Sequence, residues 1–425
     1  MTRRTTQARG GRSPAAPRVG LFGLLGSGNI GNDASMESIL GYLRARHPGA
    51  VVDAMCMGPD QLTARYGLPA IPLQWAKQFE GRLGGVPSAA ARTLGKVVDA
   101  GRTVRWVRRH DAVIVPGMGV LEASLPLRAW GVPYAMFLLC AGGRLTGTKV
   151  ALVSVGANYI NQRPTRFFFN TAARLAYYRS YRDAQSREAM TARGVNVSAD
   201  HVYPDLVFSL PVSPDPGDPG VVGVGVMTYR GTNDDRDRAD EIYGAYVTTF
   251  TRFILWLLDQ GRSVRVFVGD KTDDKALAEI TGRVRRARPE LEPGRLMAEP
   301  PTTFSDLSRS MAPVSCVIAT QYHNVMCSLR LGKPTISLGY ARKNLVLMEE
   351  MGLGEFCQSA NSLDFDLLIK QFMELEARAP ELCRAIADRN LVNARLLDRQ
   401  FDQLDGLLFP GSWPARPASP ASRPG

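Results

Sequence analysis

Short apolar runs alternate along this chain with longer stretches in which apolar residues recur at helical spacing. Val19 to Leu25, Val51 to Met55, Ala112 to Val115, Val150 to Val155 and Ala199 to Tyr203 are strand-length and rich in β-branched residues, and Ala34 to Arg46 between two of them carries a helical pattern. Further on, Val221 to Met227 and Ser263 to Val268 flank a helical Ala239 to Gln260, and Val314 to Ala319 and Thr335 to Leu338 flank a helical Val325 to Leu331. Strands alternating with helices predict an α/β fold with parallel sheets covered by helices. The segment PVSPDPGDPG, Pro211 to Gly220, can continue neither a helix nor a central strand. It divides the chain into two Rossmann-like domains, 19–210 and 221–360, joined by a linker at 211–220. A C-terminal helical segment, 361–409, begins after Asn361 and Ser362, is interrupted by Pro380, and is expected to pack across one domain. Residues 1–18, without periodicity, and the five-proline stretch Pro410 to Gly425 are expected to be disordered tails.

Charge narrows the class of partner. The 425 residues carry a formal net charge of +12, but seven arginines in the two tails account for seven of those, leaving a body at +5. A mildly basic body suits anionic substrates or a membrane surface, with peripheral association there, and lacks the basic stripe interleaved with aromatics that nucleic-acid binding needs. The six cysteines are scattered without a C-x-x-C pair and read as small core residues of a reducing compartment. His47, His110, His201 and His323 lie far apart in sequence, so spacing implies no metal site. The apolar Val19 to Gly26 breaks at Ser27, Gly28 and Asn29 with no A-x-A site after it, which argues against a signal peptide, and no run approaches the ~20 residues of a spanning helix. A cytoplasmic protein, working at most at the inner face of the membrane, is expected.

Candidate chemistry gathers where strands end. Thr320, Gln321, Tyr322, His323 and Asn324 follow the strand at Val314 to Ala319, and Tyr340, Arg342 and Lys343 follow the next one. In a parallel sheet both ends face one crevice, and an imidazole, an amide, a phenol and two cations there suit a small anionic substrate that gains or loses a proton. A core or capping role for His323, and solvated cations at Arg342 and Lys343, are the plainer alternatives. Gly26 to Asp33, GSGNIGND, turns a strand into a helix; its Gly28, Asn29, Gly31 and Asn32 could hold a sugar hydroxyl or an anion on free amides, or could form only a tight turn with Asp33 capping the helix. Gly117 and Gly119 end another strand of the same domain, again as a close-approach site or a turn. Arg182 could clamp a phosphate or carboxylate, or pair with Asp183 or Glu188.

Taken in order, GSGNIGNDA, DAVIVPGMGVLE, YRDAQSREAM, YPDLVFSLP and the block from TQYHN to YARKN resemble the polysaccharide pyruvyl transferase family over about Val19 to Leu353. The resemblance implies a two-domain, glycosyltransferase-B-like enzyme that moves the enolpyruvyl unit of phosphoenolpyruvate onto a sugar diol of an exopolysaccharide or cell-surface glycan precursor, the acceptor being free or lipid-linked. A pyruvate ketal and phosphate are the implied products, with no cofactor beyond phosphoenolpyruvate as co-substrate. It further implies His323 as acid, Asp33 as base or hydroxyl-orienting group, a donor site of Arg182, Gln321, Tyr340, Arg342 and Lys343, and an acceptor side of Gly28, Asn29, Gly31, Asn32, Gly117 and Gly119. Two departures stand out: the usual N-x-G-D reads Asn29-Ile30-Gly31-Asn32-Asp33, and Gln321 stands where the family has an arginine two residues before the histidine. A nucleotide-sugar-dependent glycosyltransferase and a non-catalytic glycan-binding relative are the alternative readings.

Overall fold

Strand runs that are apolar at every position become strands covered on both faces. In a computed structural model of the chain, which describes residues 16–75, 89–123, 129–213, 215–231, 233–298 and 300–410, β1 (Arg18–Gly23), β4 (Ala112–Pro116) and β5 (Lys149–Val155) are buried almost throughout. Such continuous runs are the mark of parallel sheets between helix layers. With β2 (Val51–Cys56), β3 (Ala70–Pro72), β6 (Tyr178–Tyr181) and β7 (His201–Val202) they form one seven-stranded parallel sheet, ordered β3-β2-β1-β4-β5-β6-β7. A second parallel sheet of six strands is ordered β10-β9-β8-β11-β12-β13, from β8 (Asp218–Gly225), β9 (Ser263–Phe267), β10 (Leu296–Ala298), β11 (Val314–Ala319), β12 (Thr335–Gly339) and β13 (Cys357–Ser359).

Several expected boundaries shift for identifiable reasons. Arg18, expected in a disordered tail, opens β1: its amide donates to Asp111 Oδ2 at 2.8 Å and its register partner is Val51. Of the expected tails, residues 1–15 and 411–425 lie outside the described residues. Asp218 to Gly220, expected in the linker, begin β8, because the Asp218 amide donates to Pro313 O and Asp218 is the register partner of Val314. The stretch before them is pinned from the second half: Arg330 Nη2 donates to Leu210 O at 2.6 Å and Lys333 Nζ to Asp215 O at 2.5 Å.

The interruption expected at Pro380 falls at Arg378, and Pro380 starts a second helix. α12 (Phe365–Ala377) is capped by Asp364, which accepts from the amides of Asp366 and Leu367, and α13 (Ala379–Leu408) carries Pro380 in its first turn, where proline has no hydrogen bond to lose. Contrary to the expectation of packing across one domain, α13 spans both. Asn390 Nδ2 donates to Leu329 O at 2.8 Å in the second half, whereas Gln400 Nε2 donates to Ser180 Oγ at 2.7 Å and Asp405 takes hydrogen bonds from Tyr42 and Arg46 in the first. This strap fixes how the two sheets face each other.

The sheets also meet at their carboxyl ends. α1 (Ile30–Arg46) starts there, with Asn29 as its N-cap: the side chain accepts from Asn32 N, while its Nδ2 donates to Asp270 Oδ2 at 3.0 Å and Ile30 N donates to Gly269 O at 3.2 Å. The first-half turn is therefore stitched to the loop after β9. Within each sheet the order runs outward from a central strand, so the loops after β1, β4, β5 and β6 face those after β8, β9, β11 and β12.

Candidate active site between the two halves

His323 stands at the start of α10 (Tyr322–Arg330), directly after β11, and its ring reaches the first half of the chain. A methyl group on Gly31 would fall 1.9 Å from His323 Cδ2 and 2.2 Å from Nε2, so only a glycine in the first turn of α1 lets the imidazole sit there. Neither ring nitrogen of His323 has a hydrogen-bond partner among the described residues. Burial pushes its pKa down to about 3, and the cations Lys343 and Arg182 push the same way against Glu122. A pKa that low favours the neutral imidazole near pH 7.

Those three charges form the floor of the site. Arg182, buried at the β6 end, holds Glu122 Oε1 at 2.5 Å with Nη2, while Lys343 Nζ lies 3.6 Å from Glu122 Oε2. Both cations sit over the Tyr322 ring, at 5.1 Å for Arg182 and 5.2 Å for Lys343. Burial opposes charge on Glu122, yet Lys343 and Arg182 pull its pKa down to about 2. Arg182 is also flanked by Asp183 Oδ2 at 3.7 Å and Asp205 Oδ2 at 3.6 Å. Its guanidinium stays charged, raised above its ordinary value by these carboxylates despite burial. Lysine 343, Arg182 and Tyr322 also line a cavity of about 290 Å³ that runs back to Glu350 and Arg389.

Glycines make room for the ion pair. A Cβ on Gly119 would lie 2.7 Å from Glu122 Cδ, and one on Gly156 would lie 2.3 Å from Glu122 Oε1 and 2.7 Å from Arg182 Nη2. Gly117 instead packs against Ser35 and takes φ +53°. Met118 and Ser154, at φ +64° and +50°, hold the left-handed conformation at the ends of β4 and β5 without being glycine. Strain of that kind is sustained only where surrounding contacts impose it, and Ser154 is held by hydrogen bonds to Ser180 and Gln400 where the pairing of β5 with β6 shifts register.

Some expected site residues serve elsewhere. Asp33 is not the cap: Asn29 caps the helix, and the buried Asp33 carboxylate accepts the Gly26 amide at 2.8 Å with Arg65 at 4.0 Å, bracing the glycine turn from inside. Burial holds its pKa up. Asn29 and Asn32 are spent on the turn, Asn32 Nδ2 donating to Leu24 O at 3.4 Å, which leaves Gly28, beside Lys271, at its rim. Gln321 turns away from Arg182: its Nε2 meets Asp273 Oδ2 at 3.4 Å, and its Oε1 packs against Gly269. Arg342 and Lys343, expected to share one crevice, part company at the start of α11 (Arg342–Glu350), where successive side chains diverge by about 100°. Arg342 is exposed and borders, with Tyr340, a separate cavity of about 480 Å³. Glu122 was the residue sequence reasoning missed; it ends the quoted DAVIVPGMGVLE, but a lone acid carries no local signal of the cations it will meet.

Comparison with known proteins adds two findings. The family model for polysaccharide pyruvyl transferase matches residues 29–342, and no curated protein sequence matches the chain. Among solved structures, the chain is similar to a putative UDP-N-acetylglucosamine 2-epimerase from Listeria monocytogenes, at 12% identity over 92% of this chain and 96% of that one, with TM-score 0.59. A glycosyltransferase from Rickettsia africae is similar at 10% identity, 93% and 99% coverage and TM-score 0.55, and UDP-GlcNAc 2-epimerase from Neisseria meningitidis bound to UDP-GlcNAc at 10% identity, 91% and 99% coverage and TM-score 0.53. At such identities the likeness is one of fold, the glycosyltransferase-B-like pair of parallel sheets with C-terminal helices.

Proposed function

The chain belongs to the polysaccharide pyruvyl transferase family, and from that premise we propose that it transfers the enolpyruvyl group of phosphoenolpyruvate onto two hydroxyls of one sugar in an exopolysaccharide or cell-surface glycan precursor. The products are a pyruvate ketal and phosphate. The observation that carries this reading is the unpartnered imidazole of His323, set between the Gly31 turn and the Glu122, Arg182 and Lys343 trio.

The chemistry asks for one proton at the methylene carbon of the donor, a hydroxyl attack on the cationic carbon that results, departure of phosphate, and closure by the second hydroxyl. Two hydroxyl protons are released; one replaces the proton used and the other leaves with phosphate. His323 supplies the proton. Burial is the main cause that keeps the imidazole neutral, and Lys343 and Arg182 add to it; the donor's negative charge, placed against those cations, offsets their share and favours the imidazolium, so donor binding raises the His323 pKa and arms the acid.

Donor binding also frees a base. Phosphate or carboxylate oxygens that engage Arg182 and Lys343 replace Glu122 as their partner, and a carboxylate that loses both cations becomes more basic. Glu122 then accepts the proton of the attacking hydroxyl. The test is incubation of purified protein with phosphoenolpyruvate and a panel of saccharides: phosphate release with a ketal methyl signal in the product supports the reading, and turnover of a nucleotide sugar with no response to phosphoenolpyruvate refutes it.

A further inference from the structure

We propose that the outer face formed by α3 (Ala89–Val107), α4 (Val132–Thr146) and α5 (Arg163–Leu175) is a docking surface for an anionic lipid bilayer, laid against the membrane beside the mouth of the site. The proposal goes beyond the transfer reaction and does not depend on it.

Large apolar side chains are displayed there rather than buried. Val97 is 66% exposed, Tyr159 61%, Phe167 61%, Leu94 60% and Trp130 56%. Four of them lie on adjoining helices or their ends, linked through Tyr134 and Phe168. Leu94 and Val97 share one face of α3, and the Tyr134 hydroxyl of α4 donates to Lys96 O at 3.3 Å between them. Trp130 lies 5.1 Å from Tyr134 and 5.2 Å from Phe168, and Phe168 lies 5.6 Å from Phe167. Exposed apolar groups this close together mark an interaction surface, and aromatic rings at the edge of a helix layer suit the boundary between headgroups and acyl chains.

Charge selects the occupant. Between Ala89 and Tyr177 twelve Lys and Arg stand against three acids, so this stretch holds nine of the chain's twelve net positive charges. None of the three acids faces outward on the patch. Asp99 is buried, takes the Trp75 amide and lies 3.6 Å from both Lys96 and Arg102; Asp111 takes the Arg18 amide; Glu122 is in the site. Arg163 and Arg166, exposed on the first turn of α5 beside Phe167, make no ion pair among the described residues. Cations without partners around a cluster of exposed rings fit a negatively charged bilayer better than a second copy of this chain, which would bring the same charges.

Position ties the face to the site. Each of these helices follows a strand in a parallel sheet, so its first turns lie at the carboxyl edge where the site opens. Ala123, next to Glu122, donates from its amide to Asn158 Oδ1 at 2.9 Å, one residue before Tyr159. A bilayer on this face would present lipid-carried saccharides at the edge of the crevice. Among the described residues no helix is long and apolar enough to cross a membrane, so contact here is at the surface.

The experiment is co-sedimentation of the purified full chain with vesicles of phosphatidylglycerol and phosphatidylcholine in equal parts, against pure phosphatidylcholine, across a salt series. The protein should sediment with the anionic vesicles and be released by salt. Arg163→Gln with Arg166→Gln should weaken binding roughly thirtyfold, at about 1 kcal/mol for each arginine, and Phe167→Ser should weaken it further at unchanged melting temperature. Equal binding to both vesicle types, no binding to either, or variants that bind like the parent would overturn the proposal. So would a dimer in solution that Phe167→Ser splits, since that would give the face to a second copy. None of these readouts uses turnover, so failure here and failure of the transfer reading are separate results.

Discussion

His110 is buried and His323 half-buried, each at the edge of a parallel-sheet strand, and they differ in what their nitrogens do. His110 Nδ1 lies 2.9 Å from Trp106 O and Nε2 lies 3.0 Å from Asp53 Oδ1, a carboxylate that also accepts from Trp106 Nε1 at 2.8 Å. Every polar need of that ring is met by neighbours in its own half of the chain. His323 has no such partner, sits where two halves meet, and is surrounded by charges that hold each other. A satisfied ring holds a fold together, whereas a ring left unsatisfied at an interdomain mouth is available to a ligand.

The widest split between the two rings should come from removing each. His323→Ala is expected to lower turnover by about 10²- to 10⁴-fold, the usual worth of a positioned acid, with little change in melting temperature. His110→Ala should do the opposite, leaving turnover intact and costing about 1–3 kcal/mol in chemical denaturation, because Asp53 and Trp106 O lose their partner. Equal kinetic damage from both would erase the distinction.

Next in size is the charge trio. Arg182→Ala leaves Glu122, Asp183 and Asp205 facing one another in a buried site, and should cost about 3–5 kcal/mol of stability by urea melts, as breaking a buried pair does. A stable Arg182→Ala protein that still turned over would mean that Lys343 alone anchors the donor. Gly31→Ala is subtler. Its methyl must push the His323 ring aside, so kcat should fall by roughly 10²-fold while the fold survives, in line with the cost of a small misplacement of a reacting group. The smallest expected effect is that of Asn29→Ala, which removes the α1 cap and the hydrogen bond to Asp270; about 1 kcal/mol of stability is the ordinary worth of such a cap, read as a shift in the denaturation midpoint.

The same contrast shows what could be read from residue order. Strands such as β4 and β11 are apolar at nearly every position because both faces are covered, and they stand out in the sequence. β6, reading YRSY, does not: Arg179 lies along the strand to reach Asp200 with Nε at 2.8 Å, and a charged residue in a four-residue run hides it. Edge strands β3, β10 and β13 are three residues each, too short for a period to show. At the site, the strand-end location of His323 was legible, because parallel topology sends loops to one edge. Glu122 was not, since what makes it matter is Arg182, sixty residues on, and Lys343 from the other half. The directions of Asp33 and Arg342 were not legible either: each sits in sequence beside residues of the interdomain cluster, and helix geometry turns its side chain elsewhere.

Acid titration of stability carries the sign of the His323 shift. Its pKa is lowered in the fold from 6.5 to about 3, so the unfolded chain takes up a proton that the folded one refuses. Stability is therefore lost as pH falls from about 6.5 toward about 3, and bound donor should shrink that loss by raising the folded value. The direct measurement is a nuclear magnetic resonance titration of the His323 ring, assigned by its disappearance in His323→Gln, with and without phosphoenolpyruvate. The account predicts a ring that stays neutral to well below pH 5 in the empty protein and takes up a proton near neutrality once the donor binds. A ring that titrates near 6.5 in both states, indifferent to the donor, would contradict it.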